Sequence, residues 1–143
     1  MTCTFFGHRE INQDIYSKLK YCLIELITTK KVSVFYVSNN GDFDKIVHKV
    51  LSDLKTSYPH INYAVVLASL PNSKTSSLNY TETLFPEELE STPPKFSIDK
   101  RNRWMLSKSD YVVCYVRRDF GGAAKFLQLA LRRGKQVINI AEE

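Results

Sequence analysis

The sequence predicts an α/β fold built on a mostly parallel sheet, on three observations. Short apolar runs rich in β-branched and aromatic residues recur along the 143 residues. Stretches with helical spacing of apolar residues separate them. Glycine-bearing turns follow the first, second and fourth of these runs, as expected where strands hand over to helices.

The first strand spans about Thr2 to Phe6 and stops at Gly7. A helix follows, with Asn12 the expected cap and Ile15, Leu19, Leu23 and Ile27 on one face. Val32 to Val37 reads as the second strand, running into the turn sequence Ser38-Asn39-Asn40-Gly41. Asp42 suits the cap of the next helix, whose Phe43, Val47, Val50, Leu51 and Leu54 keep the 3.6-residue period. Pro59 blocks that helix, and Ile61 to Ala68 forms a third strand.

From Ser69 to Lys100 the periodicity dissolves. Four of the five prolines fall here (Pro71, Pro86, Pro93 and Pro94), among many serines and threonines. Loops of this length are commonly functional, and Tyr80, Phe85 and Phe96 offer anchors for a lid or covering arm, or for packing across a homo-oligomer. A short helix is expected over about Asp99 to Ser107. Tyr111 to Val116 forms the fourth strand, and a helix follows Gly121-Gly122 with Ala123, Phe126, Leu127, Ala130 and Leu131 on one face. Arg132-Arg133-Gly134 suits its carboxyl end, and Gln136 to Ile140 is the fifth strand.

Composition narrows the function classes. A chain of this length suits one domain over residues 1–143. No apolar run approaches the roughly 20 residues that span a bilayer, so no membrane role is expected. Met1 to Phe6 is too short for a secretory signal, which makes the cytoplasm the expected location. The three cysteines and three histidines are scattered without metal-ligand spacing, so no metal and no resident cofactor are expected, and the thiols read as buried and free. A formal charge of +5 favours anionic partners. Nucleic acid is compatible with that charge, although a small phosphorylated ligand needs only two or three cations.

The candidate site residues lie where strands end. In open parallel sheets ligands bind beyond the carboxyl ends of the strands, where strand order reverses. With right-handed crossovers the first strand is central and adjacent to the fourth, so Gly7-His8-Arg9 faces Gly121-Gly122 across one crevice, and Gly41 turns on the same edge. Glycines at the second of these junctions let an anion approach the first amides of a helix. Arg9 is suited to bidentate phosphate pairing, or is an exposed strand-end arginine. His8 either donates to a ligand or caps a backbone group. Asp44 either complements the helix dipole or meets a ribose hydroxyl or a base. Arg101 and Asn102 offer anion pairing and hydrogen bonding, with Trp104 beside them for stacking or core. Lys125 opposes the dipole in its helix's first turn, so it is either a plain surface lysine or a cation offset by an anion at Gly122.

These pieces, in this order, resemble the SLOG superfamily, the Rossmann-like group that includes YpsA-like proteins, LOG-type phosphoribohydrolases and the DprA core. The matching stretches are Phe5-Phe6-Gly7-His8-Arg9, Gly41-Asp42-Phe43-Asp44, Arg101-Asn102-Arg103-Trp104-Met105, Ser109-Asp110 and Gly121-Gly122-Ala123. The likeness covers nearly the whole chain and is nearest to small bacterial and phage members. It implies a Rossmann-like, doubly wound sheet of about five strands and a pocket for a nucleotide-derived ligand, with sensor members binding signals related to NAD and ADP-ribose. The LOG enzymes cleave the base from nucleoside monophosphates with a PGGxGTxxE-type motif. Here Phe120 stands for its proline, Ala124 for its third glycine, Lys125 for its threonine and Gln128 for its glutamate. An amide cannot supply the carboxylate that glycosidic cleavage favours. The resemblance therefore implies ligand binding first, an N-glycosidase second, and DprA-like nucleic-acid binding third.

Overall fold

The structure, a computed structural model, describes residues 1–69 and 82–141. Its strands are β1 (Thr2–Gly7), β2 (Val34–Val37), β3 (Asn62–Val66), β4 (Thr83–Leu84), β5 (Tyr111–Tyr115) and β6 (Gln136–Asn139). The helices are α1 (Tyr16–Thr28), α2 (Asp42–Ser57), α3 (Pro94–Ser107) and α4 (Gly122–Arg132). All strand pairs are parallel, in the order β4-β3-β2-β1-β5-β6. The chain thus starts in the middle of the sheet, builds outward through β2 to β4, then returns to the other side of β1. The architecture is Rossmann-like and doubly wound, with the order reversing between β1 and β5.

Two cores follow from strand alternation. Cys3 and Phe5 of β1 and Val113 and Tyr115 of β5 face α1 and α2, where they meet Leu19, Leu23, Val47 and Leu51. Phe6, Val112 and Cys114 point the opposite way, onto Met105 and Leu106 of α3 and Phe126 and Ala130 of α4. Because side chains alternate, slipping one strand by a single residue would exchange both faces, so the paired cores fix the register.

Several boundaries differ from the sequence expectation. Asn12 does not cap α1; that helix begins at Tyr16, whose amide is met by the Asp14 carboxylate at 3.1 Å. Gly41, not Asp42, holds the cap position of α2. The described part of the 69–100 stretch is not structureless. It contains β4, a 3-10 turn at Glu87–Leu89 and the first turn of α3, which starts at Pro94 and not near Asp99. Proline is favoured at a first helical position because its missing amide is not needed there. Phe85 packs against the first core, whereas Phe96 stays 54% exposed; Tyr80 lies outside the described residues. β4 carries only two residues, too few for any period to show. Among the described residues, no helix is long and apolar enough to cross a membrane.

Candidate functional site

At the carboxyl ends of β1, β2 and β5 a cleft of about 500 Å³ opens. It brings together Gly7, His8, Arg9, Asp44, Arg101, Asn102 and Gly122 of the residues expected from sequence. Gly41, Gly121 and Lys125 do not line it.

The end of β1 is held from two sides. The His8 Nε2 accepts the Arg117 amide at 2.9 Å, tying it to the segment after β5. On the other side, the first amides of α2 are spent on this loop. Asp42 N–H donates to the Arg9 carbonyl at 2.8 Å, and the Asp42 carboxylate accepts the Ile11 amide at 3.0 Å. Gly41 makes this approach possible, with φ of +109° and an absent Cβ that would lie 2.7 Å from the Arg9 Cα. It shapes the loop from behind the cleft.

His8 therefore caps a backbone group, the second of its two sequence readings. Burial foremost, and then the charges of Arg118 and Arg117, hold its pKa below the ordinary value. The neutral ring accepts at Nε2, which leaves its proton on Nδ1.

Asp44 is buried and engaged, so it is not free in the way the sequence suggested. Its carboxylate accepts the Ser38 hydroxyl at 2.5 Å and the Asn40 amide at 2.8 Å. Burial raises its pKa, opposed by those two hydrogen bonds and by the charges of Arg101 and Arg9. Arg101 is 1% exposed. Its guanidinium donates to Asn40 at 3.1 Å, Asn39 at 3.4 Å and Asn102 at 3.1 Å, all amide oxygens. Burial, and next to it the charge of Arg9, lowers the Arg101 pKa to about 10, with Asp44 pulling the other way. It remains a cation at neutral pH. The turn signal of residues 38–41 thus serves as a bracket: Ser38 and Asn40 orient Asp44, and Asn39 and Asn40 orient Arg101.

The far wall is the start of α4. Among the described residues no acceptor meets the amides of Gly122 and Ala123, and a Cβ placed on Gly122 meets nothing within 4 Å. This contrasts with α2, whose first amides are used internally, and leaves the positive end of the α4 dipole open to the cleft. Arg118, close by, adds an exposed cation. Lys125 is directed elsewhere: its ammonium pairs with Asp99 at 2.6 Å, linking α4 to α3. Its charge is offset by this carboxylate, without an anion at Gly122. Although partial burial pushes the other way, the Lys125 and Arg103 hydrogen bonds keep the Asp99 pKa low.

Sequence reasoning did not select Arg118, Ser38, Asn40, Glu10 and Ile98 as lining residues. Arg118 and Glu10 carried a signal as charges flanking glycine turns; Ile98 carried none. Gln128 lines a separate groove with Arg117 and Asp119. Trp104 rests on Tyr36 with ring centres 5.2 Å apart and donates to Glu88 at 2.8 Å, so it supports α3 from outside the cleft. The three cysteines are free, and among the described residues no group of three or more His, Cys, Asp or Glu side chains is placed to hold a metal.

The fold and site define a Rossmann-like α/β domain with a cationic cleft at its strand-order reversal. No protein-family model matches the chain, and no curated protein matches it.

Proposed function

We propose that this protein binds a nucleotide or nucleotide-derived phosphorylated ligand, of the kind related to NAD and ADP-ribose, in the cleft above β1 and β5. One observation carries the reading: Arg9, Arg101 and Arg118 surround a cleft into which the uncapped start of α4 opens at Gly122. Guanidinium groups and free helix amides are both matched to phosphate oxygens. Asn102 and the half-buried Asn40 add neutral donors and acceptors for hydroxyl groups. The SLOG resemblance belongs to this proposal, and four of the stretches that carry it contribute lining residues. A cytoplasmic setting, where nucleotides are abundant, belongs to it too.

Calorimetric titration at low salt with ribose 5-phosphate, AMP and ADP-ribose tests the reading. Arg9→Ala and Arg118→Ala, both at exposed positions, should each weaken binding by about tenfold, the scale of one charged hydrogen bond. Lys125→Ala should leave it unchanged. If none of the three ligands binds, the reading is overturned.

A second reading, N-glycosidic hydrolysis of a nucleotide, is favoured by one observation: the carboxylates of Glu10 and Asp44 line the same cleft. Incubation with nucleoside monophosphates would release free base, and intact nucleotide at every pH from 5 to 9 dismisses it.

A further inference from the structure

Phe120 is 66% exposed and belongs to neither core. A large apolar ring left in water gains little from burial, so its neighbours show what it does. The Arg118 guanidinium lies over the ring, 4.9 Å from its centre. The same guanidinium passes close to Gly121, where an added Cβ would sit 3.6 Å from Nη2 and 3.8 Å from Nε.

The backbone beneath this pair is anchored at both ends. The Arg117 amide donates to His8, and the Gly121 carbonyl accepts the Lys125 amide at 3.0 Å. Arg118 and Phe120 stand two residues apart between these anchors. Among the described residues no ion pair holds Arg118. That difference matters for a cation that lines the cleft. An aromatic face attracts the charge without neutralising it, whereas a carboxylate would occupy the N–H groups that a phosphate needs.

We propose that Phe120 is a positioning residue of the anion site: its ring holds the Arg118 guanidinium at the cleft wall beside Gly122 before a ligand arrives. The role rests on the phosphate reading of the cleft and deepens it. An exposed arginine has a long, freely rotating side chain, and fixing it on binding costs entropy. A ring that already holds the guanidinium removes part of that cost. Phe120 stands where the LOG-type motif carries proline, so the SLOG resemblance implies no such role.

The test is calorimetric titration at low salt with ribose 5-phosphate, which has no base to stack on the ring. It compares the wild type, Phe120→Leu, Phe120→Trp, Arg118→Ala and the double variant Arg118→Ala/Phe120→Leu. Leucine keeps an apolar side chain without an aromatic face, and Phe120→Leu should weaken binding about two- to fivefold, the scale of one exposed cation–π contact. Phe120→Trp should bind at least as tightly as the wild type, because indole is the better partner for a cation. In the Arg118→Ala background, Phe120→Leu should change nothing further. Phe120→Leu binding as tightly as the wild type overturns the positioning role alone. So does a loss that Phe120→Trp shares, or one that persists without Arg118. Failure of the wild type to bind ribose 5-phosphate also overturns the role, and failure of AMP and ADP-ribose as well overturns the phosphate reading.

Discussion

Replacing Arg101 by methionine keeps much of the side chain's bulk and removes its charge. The consequence follows from what is left behind. Arg101 is 1% exposed and Asp44 6% exposed, so water cannot take the place of the guanidinium near that carboxylate. Asn39 is exposed and Asn102 half-buried, and their oxygens can rehydrate at small cost. Arg101 makes no direct ion pair with Asp44; its charge acts on the carboxylate through space. Losing that charge together with the hydrogen bonds to the three amide oxygens costs about 1–3 kcal/mol. Asp44 can escape part of it by taking up a proton. Its pKa already lies above the ordinary value because of burial, and loss of the Arg101 charge raises it further. The folded variant then binds more protons than its unfolded chain, so the penalty is full above the folded pKa of Asp44. It recedes as pH falls through that value, by at most about 1.4 kcal/mol per pH unit. Urea unfolding of Arg101→Met at pH 7 and pH 5 measures both features. Adding Asp44→Asn should recover part of the loss and flatten the pH dependence. A penalty below about 1 kcal/mol, the same penalty at both pH values, or simple additivity of the two changes would refute the reasoning.

Three further outcomes follow from the same site and its supporting turns. His8 is held neutral, so the folded chain binds fewer protons there than the unfolded one; its contribution is full above roughly pH 6.5 and is lost as pH falls towards the folded pKa. In His8→Gln the amide oxygen can still accept the Arg117 N–H without titrating, and the difference in melting temperature between the two proteins from pH 7.5 to 5.5 should expose this loss. Gly41→Ala should cost about 2 kcal/mol or more in chemical denaturation, since it meets both a positive φ and the Arg9 backbone. Gly122→Ala should leave stability unchanged or raise it by up to about 1 kcal/mol, with weaker ligand binding as its only loss.

The class of fold was legible because helical and strand periodicity are local. The stripe of α2 announces which side is apolar, the unbroken apolar run of β5 announces a strand buried on both faces, and the tertiary structure buries them accordingly. Element ends were less legible. α3 begins at Pro94 inside a stretch whose prolines and polar residues read as loop, and β4 has only two residues to declare itself. The site was legible as a set of strand ends. His8, Asp44 and Gly122, each in a segment that follows a strand, line one cleft because the parallel order puts those strand ends together, whereas Arg101 reaches it from within α3.

What each charged residue does there was decided only in three dimensions. Asp44 reads as a free carboxylate in a helix's first turn until Ser38 and Asn40 are seen to occupy it. Lys125 reads as an uncompensated cation until α3 brings Asp99 within 2.6 Å, from 26 residues away. A sequence determines which side chains can bury and which backbone positions can bend, since both depend on a residue and its near neighbours. Charge pairing depends on through-space distance and on access of water, and both are set by how α3 and α4 settle on the sheet.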